Sequence, residues 1–137
     1  MNRSFISIAA LLGALSVALG AFAAHKLRQI VPPDAVAVFE TGVRYQFYHV
    51  FALLLVALLT DKFPNKWMNW AGNCFIAGII LFSGSLYMLT ALKIAENDHL
   101  NYIGAVTPVG GLFFIAGWIF LWVGVSGPRG RPPKGRH

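Results

Sequence analysis

Between residues 5 and 24 the chain carries no charged or amide side chain, and long apolar stretches recur over 35–60, 70–92 and 103–125. As a helix rising ~1.5 Å per residue, about 20 apolar residues cross the ~30 Å hydrocarbon core with every backbone hydrogen bond satisfied internally. Four such stretches leave little of a 137-residue chain for anything else. The expected fold is an all-α integral membrane protein, a four-transmembrane-helix bundle. A single membrane domain takes residues 1–127, and 128–137 form a basic, proline-rich tail read as disordered and cytoplasmic. The hydrophobic content of 57% against 12% charged residues excludes a soluble domain of one or two layers.

The connectors set the helix ends. Pro32-Pro33 breaks the chain before the second span, with Asp34 as the expected N-cap, and Pro64-Asn65 turns it back into the third. Pro108 leaves two starts for the fourth helix: Tyr102, with the proline inside, or Thr107 as N-cap with the proline at the first position. In the first span, Arg3 and Ala21-Phe22-Ala23 imitate a cleaved secretory signal. Against that stand the length of the apolar run and the small residues Ser16, Gly20 and Ala24, whose helical spacing suits close packing against a neighbour.

The net charge of +6 sits beside the apolar segments and in the tail, a pattern of membrane topology rather than nucleic-acid binding. With four alternating spans, Arg3, Lys62, Lys66, Arg129, Arg131, Lys134 and Arg136 fall on one side, outnumbering Lys26, Arg28, Arg44 and Lys93 on the other. Both termini are therefore expected in the cytoplasm, with the protein multi-pass in the cell (inner) membrane. The four tryptophans then lie in the cytoplasmic half and the four tyrosines in the outer half.

One stretch breaks the apolar pattern. ETGVRYQFYH, residues 40–49, places Glu40, Thr41, Arg44, Tyr45, Tyr48 and His49 on one half of a helix, with Val43, Phe47 and Val50 on the other. The polar half should face protein or water. With entry near Thr41, Arg44 lies about 5 Å below the surface and His49 about 12 Å. The same outer half receives His25, Ser83, Ser85, Tyr87 and Thr107 from the other helices. One hydrogen-bonded cluster is expected there, with Glu40 paired to Arg44 at i,i+4. Such a cluster either fixes the register of the bundle or binds a lipid headgroup, an anion or a proton.

No template for catalysis emerges. Paired carboxylates are missing from the spans, the serines of FSGSLY are not in a GxSxG elbow, and TPVGG is not a phosphate loop. His25, His49 and His99 show no metal-ligand spacing, and Cys74 stands alone, so no metal or other cofactor is expected. The preferred reading is a non-enzymatic bundle binding membrane lipids, with a second copy or another membrane protein as further partners. The alternative is an oligomeric small-solute or proton-coupled transporter with His49 and Arg44 lining its path.

Four motifs also carry a resemblance: GAFAAHKL at 20–27, TGVRYQFYH at 41–49, LFSGSLY at 81–87 and TPVGGLFFIAGW at 107–118. In this order they resemble the domain-of-unknown-function 423 family, which includes YgdD-like bacterial inner-membrane proteins and the eukaryotic transmembrane protein 256 group. The resemblance covers about 5–125 and departs at Ala23, where the family's first motif has glycine. It implies a four-span integral membrane protein and argues against a cleaved signal, and it implies no reaction.

Overall fold

The computed structural model describes residues 1–127; the basic tail lies outside the described residues. Four helical spans run back and forth. Helix α1 is Arg3–Ala24, followed by a 3-10 turn at Leu27–Gln29, and α2 is Pro33–Leu59. The third span is composite: α3, Lys66–Gly78, passes through a π-helical turn at Ile79–Ser83 into α4, Gly84–Ile94. A 3-10 segment, Asp98–Ala105, leads into α5, Val106–Ser126. Each span is long and apolar enough to cross a membrane. The "near end" below is that of Arg3, Leu59, Lys66 and Ser126.

Local chemistry fixes the ends. Asn2 caps α1 by accepting from Phe5 N at 3.1 Å. Asn65 caps α3 by accepting from Trp67 N, and its amide donates to Gly124 O at 2.9 Å, tying the start of α3 to the end of α5. At the far end α4 closes on a left-handed Glu96, φ 52°, with Asn97 N bonded to Leu92 O and Glu96 N to Lys93 O. That pair of bonds satisfies the last carbonyls as a Schellman cap does.

Two helix starts differ from expectation. Pro32, not Asp34, is the N-cap of α2, and Pro33 opens the helix. A proline at the first position loses no bond, because that N–H has no intrahelical partner anyway. Asp34 sits in the first turn, where its charge still complements the helix dipole. Helix α5 begins at Val106 after 3-10 backbone, so Pro108 lies in its first turn and Thr107 caps nothing.

Helix α2 is the central column, half buried along its span, whereas α1 buries only 17% and lies at the margin. Gly13 and Gly20 of α1 face Val50 and Val43 of α2, so the small-residue face of α1 is used inside the monomer. Glycines bring α5 closer still to the third span: Gly117 lies against the Phe75 ring and Gly124 against Met68. At Gly110 a methyl group would overlap the backbone nitrogen of Phe82. Only a residue without Cβ lets two helix backbones meet like this. Two apolar clusters result, one around Leu53, Met68 and Phe75 toward the near end and one around Leu27, Val36 and Phe39 toward the far end. A thin polar layer separates them.

Candidate functional site

The polar layer is built on α2. Gln46 is 1% exposed; its Nε2 donates to Leu12 O at 3.0 Å, and its Oε1 accepts from the Tyr87 hydroxyl at 2.7 Å. One amide thus joins α1, α2 and α4. One turn away, the Ser83 hydroxyl leaves the π-turn to donate to Gly42 O at 2.7 Å. Ser85 donates to Phe82 O at 2.8 Å, so its 2.6 Å contact with Thr107 has the threonine as donor. Every buried side-chain nitrogen and oxygen among the described residues has a partner.

His49 is buried and held on both ring nitrogens. The Tyr45 carbonyl, 2.6 Å from Nδ1, only accepts, and the Trp118 indole N–H, 3.2 Å from Nε2, only donates. These partners select the neutral ring protonated on Nδ1. The imidazole also lies flat on Phe114, with centroids 3.5 Å apart and planes within 6°. Both ring nitrogens and one face of the ring are thus engaged within the chain.

The ten side chains singled out by sequence do not form one hydrogen-bonded cluster. Ser83, Ser85, Tyr87, Thr107 and His49 are all engaged, but in separate pairs, because each polar group in an apolar layer takes the nearest backbone or side-chain acceptor. His25 stands apart at the exposed end of α1, with Nδ1 against Ala21 O. Glu40 does not pair with Arg44: it accepts from Arg28 at 3.3 Å across the far-end connector. Arg44, Tyr45 and Tyr48 are exposed on the outside of the bundle. The expected facing of α2 is thus reversed in part, since Val43, Gln46 and Val50 pack inward while much of the polar half looks out. Small or β-branched side chains give closer helix contact than arginine and tyrosine do.

Gln46 lies level with Leu12, near the middle of α1, so Arg44 is about 3 Å of helix rise from the middle of both helices. An unpartnered arginine in mid-membrane costs about 2.5–3.5 kcal/mol on insertion scales. Among the described residues it makes no ion pair within the chain.

Beside this surface a lateral groove of about 520 Å³ opens between α2 and α5. Tyr45, Tyr48 and His49 form one wall, Gly111, Phe114, Ile115 and Trp118 the other, and Phe82 the floor. Phe82 comes from the π-turn and packs on Tyr45 with centroids 4.7 Å apart. The extra residue of a π-turn redirects the side chains that follow, and such turns concentrate at functional sites. A second hollow of about 340 Å³ near Arg28 and Glu40 lies at the far-end connector. Among the described residues no three His, Cys, Asp or Glu side chains converge as for a metal.

The sequence reading missed Gln46, Trp118, Phe82 and Phe114. Gln46 was legible as an amide three residues from both Val43 and His49, on the face that buries. Trp118 was assigned to the half away from the cluster, and nothing in sequence paired it with His49.

A family model described as "Protein of unknown function (DUF423)" matches residues 19–111. The UPF0382 membrane protein YwdK of Bacillus subtilis is 42% identical over 122 residues, covering 88% of this chain and 94% of that protein. A UPF0382 membrane protein of Haemophilus influenzae is 40% identical over 124 residues, covering 90% and 94%. The UPF0382 inner membrane protein YgdD of Escherichia coli is 37% identical over 123 residues, covering 90% and 89%. No solved structure matches.

Proposed function

The chain belongs to the DUF423 family of proteins of unknown function, and from that premise we propose that this inner-membrane protein is a non-enzymatic bundle that holds a lipid chain in the groove between α2 and α5. The observation that carries the reading is the groove itself, lined mostly by aromatic side chains, set between two membrane-spanning helices and floored by a π-turn residue. Aromatic and aliphatic walls with few polar groups suit an apolar guest. The engaged state of the buried polar groups supports a binding role over a reaction, since hydroxyls and imidazole alike are committed to partners. The same commitment weighs against a proton path through His49, whose lone pair already accepts from Trp118.

The test is photolabelling with a phosphatidylcholine carrying a diazirine midway along one acyl chain. Labels should concentrate on Tyr45, Tyr48, Ile115 and Trp118. A Cβ at Gly111 meets Phe82 Cδ2 in ordinary contact at 3.9 Å, and Gly111 lines the groove, so the larger side chain of Gly111→Leu should occupy the groove and displace the chain. Labelling spread evenly around the bundle, or unchanged in Gly111→Leu, refutes the reading.

A further inference from the structure

Among the described residues Arg44 is the charge nearest the middle of a spanning helix, and it makes no ion pair within the chain. Its guanidinium is charged at any physiological pH. Glu40, one turn away on the same helix, is engaged by Arg28. The exposed stripe around it continues through Tyr48, Phe51 and Leu55, all at the surface of the chain. A second copy docked on this stripe by a twofold axis along the membrane normal would set Arg44 against Arg44, so like charge disfavours that occupant. A free inorganic anion would leave the apolar walls of the groove unfilled. What remains is a molecule already in the bilayer, carrying a negative group and an apolar chain.

We infer that the lipid in the groove is an anionic glycerophospholipid, its phosphate held by Arg44 with the Tyr45 and Tyr48 hydroxyls beside it and one acyl chain lying between α2 and α5. The inference rests on the reading that the groove holds a lipid chain, and adds the headgroup. The distances suit it. From Arg44 to His49 is five residues, about 7.5 Å of rise. An acyl chain spans half of a ~30 Å core, about 15 Å. A lipid whose headgroup dips to meet a guanidinium stretched toward the far end therefore lays its chain past Tyr45 and Tyr48 to the level of His49 and Trp118. Guanidinium and phosphate match as bidentate partners, and the two phenols add donors at the groove's lip. The tyrosines stand edge to face, centroids 5.8 Å apart.

The experiment is native mass spectrometry of the full chain released from vesicles of equimolar phosphatidylglycerol and phosphatidylethanolamine, with Arg44→Gln, Arg44→Lys and Gly111→Leu alongside. Wild type should carry phosphatidylglycerol enriched about fivefold, the scale of one basic residue acting on an anionic headgroup. Arg44→Gln should keep a bound lipid at the vesicle ratio, Arg44→Lys should keep part of the preference, and Gly111→Leu should carry none. Arg44 is exposed, so its variants fold, which circular dichroism verifies. Wild type carrying both lipids at the vesicle ratio overturns the headgroup assignment and leaves the groove reading standing. Wild type carrying no lipid overturns both.

Discussion

Gln46→Leu offers the sharpest test of how the bundle is held together. The substitution keeps approximate volume and removes two interhelical bonds, to Leu12 O and from the Tyr87 hydroxyl. Interhelical bonds in membranes average ~0.6 kcal/mol, so the bonds themselves account for about 1.2 kcal/mol. The larger effect is what is left behind. Leu12 O still accepts from the Ser16 hydroxyl at 2.8 Å, whereas Tyr87 loses its acceptor in an apolar layer, at a cost of about 1–3 kcal/mol. The single variant should therefore lose about 2–4 kcal/mol. Adding Tyr87→Phe removes the stranded hydroxyl, so the double variant should lose only about 1 kcal/mol and be more stable than Gln46→Leu alone. Equilibrium unfolding in mixed dodecylmaltoside–SDS micelles, followed by far-UV circular dichroism, measures all four corners of the cycle. A Gln46→Leu protein within about 0.5 kcal/mol of wild type, or a double variant that loses the sum of the two singles, would refute the reasoning.

Two further outcomes are expected from the same assay. Gly110→Ala forces a methyl into the Phe82 backbone and should cost about 1–3 kcal/mol, whereas Gly111→Ala meets only ordinary contact and should stay within about 0.5 kcal/mol; equal effects would deny that α5 and the π-turn touch backbone to backbone. Asn65→Ala removes the cap of α3 together with the bond to Gly124, and should lose about 1.5–2.5 kcal/mol; a neutral result would mean the cap is not formed.

The four spans were legible because apolar length is a one-dimensional property: residues 5–24 can hardly be anything but a helix in a bilayer or a discarded leader. The helix starts were less so. Pro33 and Asp34 both favour the beginning of a helix, and sequence alone does not rank a proline at the first position above an aspartate cap. Facing was the weakest inference. Amphipathicity sorts polar from apolar, but both the inside of a membrane bundle and the lipid around it are apolar, so α2 was oriented by its polar residues when its valines and glycines decide the contact. The π-turn was not legible, because IILFS reads as regular helix and its only visible correlate, the approach of Gly110, comes from a different span.

That approach links the fold to the site. Gly110 lies against the Phe82 backbone within the π-turn, and the Phe82 ring packs on Tyr45 and Phe114. One residue further along, Gly111 contributes no side chain, and the space it leaves is part of the groove. Adjacent glycines thus do opposite things: the first brings two backbones together, the second keeps a gap open. The indole of Trp118 spends its hydrogen bond on His49 and presents its remaining surface to the gap. Inward-facing polar groups tie the helices to one another, and the hollow between α2 and α5 has as one wall the helix that carries Arg44, which among the described residues makes no ion pair.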